Sequence, residues 1–178
     1  SEVARIINAR KDLTDSDYVE IVIRETQVRF CMEGVEITSQ VIDANFPNYR
    51  AIIPSGMAGS VVLRKDSIVR VLNVANLFAR DSMNVVRWQI GKDDVVLSAE
   101  SAEMGDGSGR VNAEVTGSTS EPFVIAFNGR YMLDAINAMG TDKVRIDFVK
   151  PNAPGVVRPA YEQNAEALCV VMPMHISK

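Results

Sequence analysis

This sequence predicts an α+β fold, antiparallel sheets carrying helices on one face, and three observations lead there. Two segments with helical periodicity, 64–80 and 130–139, each follow a short strand and precede three strand-like runs, so a β-α-β-β-β unit occurs twice. Residues 1–42 repeat the same unit without its first strand. The chain has 178 residues, 47% of them hydrophobic, which is enough to bury a real core. Paired units of this kind set their helices side by side and join their sheets.

In chain order, Val3, Ile6 and Ile7 recur at helical spacing, so 2–11 is the first expected helix. Leu13–Asp17 breaks it, and strands follow over 18–24, 28–32 and 35–42. A short strand at 60–63 leads to a helix with Asp66 or Ser67 as its cap and Ile68, Val71, Leu72, Ala75 and Phe78 as its apolar stripe. Strands are expected at 85–90, 95–99 and 110–115. The second cycle runs through a strand at 122–127, a helix bearing Met132, Leu133, Ile136 and Met139, and strands at 144–148, 155–158 and 168–174. Residues 55–178 therefore make one whole domain, and 1–54 make half a domain plus a connector.

Several chemistries are disfavoured. The single histidine, His175, lies three residues from the end, no Gly-x-Ser-x-Gly elbow occurs, and no His, Cys and carboxylate cluster has metal spacing. A small hydrolase or a β-rich scaffold module is the alternative reading, and no cofactor is expected. Glu103–Gly109 lacks the lysine of a phosphate loop and the carboxylate spacing of a calcium loop, so a flexible hairpin is expected there. Cys31 and Cys169 sit in apolar runs and read as reduced residues of a cytoplasmic protein.

The net charge of −4 conceals an uneven distribution. The three helical segments carry 8 basic residues against 3 acidic ones, leaving 11 basic and 20 acidic elsewhere. Arg5, Arg10, Lys11, Lys65, Arg70 and Arg130 belong to that basic set.

Two stretches are more specific. Ile42-Asp-Ala-Asn-Phe-Pro-Asn-Tyr-Arg-Ala-Ile-Ile-Pro54 starts as strand and then breaks at Pro47, which cannot donate to a ladder. Cys169-Val-Val-Met-Pro-Met174 ends the chain with Val170, Met172 and Met174 on one strand face and Cys169, Val171 and Pro173 on the other. Pro173 places that strand at an edge or at its own end. Methionines on an open edge form an adaptable apolar patch.

The first stretch closely resembles the connector between the second and third domains of the bacterial DNA polymerase III β subunit, the sliding clamp, which reads Asp-Gly-x-Phe-Pro-Asp-Tyr-Arg-x-Val-hydrophobic-Pro. The second resembles that family's Val-Val-Met-Pro-Met ending. The resemblance implies the DNA clamp fold and a C-terminal piece of a three-domain chain. It implies a non-catalytic processivity factor that tethers polymerase to duplex DNA.

By the same resemblance, Pro47, Ile52, Asn128, Tyr131, Val170, Met172 and Met174 form a pocket for Gln-Leu-x-Leu-Phe-like motifs of polymerase, clamp loader and repair proteins. Arg5, Arg10, Lys11, Lys65, Arg70 and Arg130 are the candidates that face DNA, which is held without sequence preference and only by the full ring. Leu77 and Phe78, with the strand from Arg110, would meet a second subunit head to tail. Two features depart from the family. His175-Ile-Ser-Lys178 follows where Met-Arg-Leu is common, and the family's Thr-Asp-Gly-His-Arg-Leu segment, which supplies part of the pocket, is absent.

Overall fold

The computed structural model describes residues 18–32, 34–46, 48–117, 123–161 and 167–175. The chain divides into two compact units, Ser1–Pro47 and Asn48–Lys178, so the division falls at the proline of the connector. The expected first helix, with Arg5, Arg10 and Lys11, lies outside the described residues, as does Pro47.

In the first unit, β1 (Glu20–Ile23), β2 (Gln27–Met32) and β3 (Val35–Gln40) form an antiparallel sheet in that order. Phe30 lies opposite both Ile21 and Ile37. Gly34, at φ +72°, supplies the left-handed residue of the tight turn between β2 and β3.

The second unit holds both complete repeats. A 3-10 turn at Tyr49–Ile52 precedes β4 (Gly59–Arg64), α1 (Lys65–Ala79), β5 (Val85–Ile90), β6 (Asp94–Ser101) and β7 (Gly105–Gly117). The second repeat is β8 (Phe123–Asn128), α2 (Gly129–Ala138), β9 (Lys143–Phe148), β10 (Gly155–Pro159) and β11 (Cys169–Val171). Among the described residues these strands form one antiparallel sheet in the order β11-β10-β9-β4-β7-β6-β5-β8. The long β7 spans it, pairing with β6 through its first half and with β4 through its second.

Both helices bury one stripe against this sheet and against each other. Ile68, Leu72, Ala75 and Ala79 of α1 meet Met132, Ala135 and Ile136 of α2 over Trp88, Leu97, Ile125 and Phe127. The Trp88 and Phe127 rings stack edge to face, with centroids 6.1 Å apart. Burying each large side chain is worth about 1.5–3 kcal/mol, which makes this shared core the main stabilising term. Asp147 of β9, 2% exposed, lies 2.6 Å from Nε of Arg145 and 2.9 Å from Nε of Arg158, the kind of pairing a buried carboxylate requires.

Three expectations need correction. The helix α1 begins at Lys65, before Asp66 or Ser67, and has no side-chain cap; the Lys65 N–H instead donates to the Asp142 carbonyl at 2.8 Å. The final strand stops at Val171 rather than Met174, because Pro173 has no N–H with which to extend the pairing to β10 beyond Gly155 and Val171.

The third correction concerns the glycine-rich run, most of which is strand. Its turn is confined to 102–104, where Ser101 Oγ accepts from the Glu103 and Met104 N–H groups. A Cβ on Gly107 would strike the Phe78 ring, and one on Gly109 would strike Val71. These glycines let α1 lie close on β7, a role the hairpin reading missed.

Candidate functional site

An apolar groove of about 500 Å³ lies between α2 and the segment 169–174. Asn128 positions one wall. Its side-chain Oδ1 accepts from the N–H of Arg130 at 3.0 Å and of Tyr131 at 3.3 Å, capping α2 and fixing the direction in which it leaves β8. The Gly129 N–H donates to the Asn84 carbonyl at 2.8 Å, tying the same point to the turn after α1. From this start Tyr131, Asp134 and Ala135 fall on one stripe, three and four residues apart.

The facing wall is the tail. Cys169, Val170 and Val171 come from β11, and Met172 and Met174 from the segment after it. Past Val171 the tail swings from β10 to β8, where Pro173 bridges Phe127 and the Met174 N–H donates to the Ala126 carbonyl at 2.8 Å. The floor is buried, with Ala135 and Val171 each 6% exposed, whereas Tyr131 is 65% and Met172 60% exposed. A sealed apolar floor between two accessible flexible walls suits short apolar side chains.

Five of the expected pocket residues, Asn128, Tyr131, Val170, Met172 and Met174, come together here. Ile52 does not line the groove; it sits half-exposed in the 3-10 turn. Sequence reasoning missed Asp134, Ala135, Cys169 and Val171. The helical spacing from Tyr131 would have found the first two. The others line the groove from within β11, the end strand of the sheet, although alternation puts them on the face opposite Val170.

The remaining candidates separate. Arg70 and Arg130 are exposed. Lys65 is not free to face solvent in the same way, because its Nζ donates to the Asn137 and Met139 carbonyls at 3.1 and 2.5 Å, at the C-terminal end of α2. Leu77 is half-exposed beside Val74, and Phe78 packs partly buried over Gly107. Both cysteines are unpaired thiols.

Residues 50–175 match the family described as DNA polymerase III beta subunit, C-terminal domain. The chain belongs to that family. Among its curated relatives, the beta sliding clamp of Staphylococcus epidermidis is 27% identical over 161 residues, covering 89% of this chain and 42% of the relative. That of Bacillus subtilis is 27% identical over 160 residues, covering 89% of this chain and 40% of its own length. The chain thus spans less than half the length of these family members.

Solved structures agree on the fold. The sliding clamp of Pseudomonas aeruginosa bound to griselimycin is 26% identical with a TM-score of 0.75, covering 98% of this chain and 45% of that one. A ligand-bound crystal structure from the same organism gives a TM-score of 0.76 at 24% identity over 98% and 45% of the two chains. The repeated units, antiparallel sheet and helices described above are the DNA clamp fold of these family members.

Proposed function

We propose that this chain serves as the C-terminal part of a cytoplasmic sliding clamp. It acts as a non-catalytic processivity element whose groove between α2 and the tail docks Gln-Leu-x-Leu-Phe-like segments of polymerase, clamp loader and repair proteins. The observation that carries this reading is the groove's composition. Tyr131, Met172 and Met174 stand around a buried floor of Ala135 and Val171, the arrangement an aliphatic and an aromatic anchor require.

The magnitudes fit a reversible contact. Burying a leucine and a phenylalanine gains roughly 3–6 kcal/mol, of the same order as the cost of immobilising a peptide. Binding is therefore weak, which suits a site that exchanges several partners. In the full ring, Arg70 and Arg130 would touch phosphates without reading bases, and Leu77 and Phe78 would meet a second subunit head to tail. One arc encircles nothing, so this chain alone should hold duplex DNA barely measurably at physiological salt.

Fluorescence anisotropy with a labelled Gln-Leu-Asp-Leu-Phe peptide tests the reading. Saturable binding that falls at least tenfold in Met172→Ala supports it; equal affinity in the two proteins refutes the site.

A further inference from the structure

One residue in the lining of the apolar groove carries a formal charge, and that charge is negative. Asp134 stands exposed on the α2 wall, three residues past Tyr131 and next to the buried Ala135. The other polar groups of the lining carry no formal charge. They are the Tyr131 hydroxyl, the Cys169 thiol and the Asn128 amide, whose Oδ1 is already taken by the Arg130 and Tyr131 N–H groups.

No cation among the described residues answers this carboxylate. Asp134 has no ion pair and no side-chain hydrogen bond there, and Arg130, one helical turn earlier, forms no pair with it. Lys65 is held on the Asn137 and Met139 carbonyls at the other end of α2. On the tail, His175 lines a different hollow, together with Arg87 and Glu100.

A segment lying on the floor of Ala135 and Val171 brings apolar surface against the carboxylate and strips part of its hydration. A cation on that segment offsets the loss, whereas an anion adds repulsion to it. We propose that Asp134 sets the charge preference of the groove, which favours apolar docking segments carrying a lysine or arginine beside their anchors and disfavours acidic ones. The inference rests on the docking function proposed above and deepens it by naming the sign of the partner's charge. Because Asp134 is exposed, the preference is modest and weakens as salt screens it. Gln-Leu-Asp-Leu-Phe carries the disfavoured sign and belongs at the weak end of the range.

Calorimetric titration of the whole chain tests this with unlabelled peptides, acetylated and amidated so that their termini carry no charge. The reference is Gln-Leu-Ser-Leu-Phe. A lysine, or in a matched set a glutamate, is placed before the glutamine, in place of the serine, or after the phenylalanine. At low salt the lysine peptide is expected to bind about two- to fivefold tighter than its glutamate counterpart in at least one of the three positions. That ratio should fall to about one in Asp134→Asn and invert in Asp134→Lys. Glu103→Gln, in the turn between β6 and β7, removes the same charge far along the sequence from the groove and should keep the ratio, which sets aside a general attraction to the chain's −4. A ratio near one in every position overturns the proposal, and so does a ratio that survives in Asp134→Asn. If all the peptides bind equally, the docking function stands and the charge preference falls. If none binds, the docking function fails and the preference fails with it.

Discussion

Phe127 and Pro173 face each other across a single isolated bridge, whereas their counterparts Leu63 and Ala113 close a ladder that starts at Gly59 and Gly117. The seam between first and last strand of the repeat is therefore sealed in one repeat and nearly open in the other. The apolar groove lies along the open seam, and the tail is latched there by the Met174 N–H on the Ala126 carbonyl. Met174→Pro removes this donor and leaves a carbonyl without its partner, which should cost about 1–3 kcal/mol. Met174→Leu keeps the N–H and a similar volume and should stay within about 1.5 kcal/mol of the native protein. Urea denaturation compares the two; equal stability would mean that the latch contributes nothing.

Lys65 carries a prediction that separates a structural charge from a DNA-facing one. Its ammonium closes the C-terminal end of α2 on the Asn137 and Met139 carbonyls. Lys65→Met should therefore lower stability by about 1 kcal/mol. Arg70→Gln, on an exposed surface, should change it by less than about 0.5 kcal/mol. Thermal melts of the two variants decide the matter, and an unshifted Lys65→Met melt would remove the lysine from the fold's supports.

A pH-dependent contribution comes from the cluster joining β7, β9 and the end of β10. Lys143 Nζ lies 2.8 Å from Glu114 Oε1, and the Tyr161 hydroxyl donates to Oε2 at 2.9 Å. The hydrogen bond from Lys143, then that from Tyr161, holds the Glu114 carboxyl below its ordinary value. The same bond to Glu114 raises Lys143 above its own. The Glu114 contribution is present at neutral pH and is lost as pH falls through the depressed carboxyl value. That of Lys143 is also present at neutral pH and is lost only as pH climbs through the raised ammonium value. Glu114 is exposed and Lys143 partly exposed, so the effect is small. Lys143→Met should melt slightly below the native protein at neutral pH, and the gap should close in acid once the Glu114 carboxyl is protonated. A gap unchanged in acid would contradict the pairing.

Much of this architecture is legible in the residues. The β5 strand spans the predicted 85–90, and both described helices lie within a residue of their apolar periods, because alternation and helical spacing are local properties. What escaped depends on contacts distant in sequence. Gly107 and Gly109 read as flexible until Phe78 and Val71 are seen lying on them. Lys65 reads as a free cation until α2 presents its last carbonyls. Cys169 and Val171 line the groove from within β11, the end strand of the sheet, together with Val170 on the opposite face, a sharing that strand alternation does not encode.

Photo-crosslinking reports where on the chain the apolar peptide docks. A Gln-Leu-Asp-Leu-Phe peptide whose phenylalanine is replaced by p-benzoylphenylalanine would be irradiated with the whole chain and the adduct mapped by mass spectrometry. Attachment is expected at Tyr131, Met172 or Met174. Attachment on α1 or β7, or adducts scattered over the surface, would contradict docking in the groove.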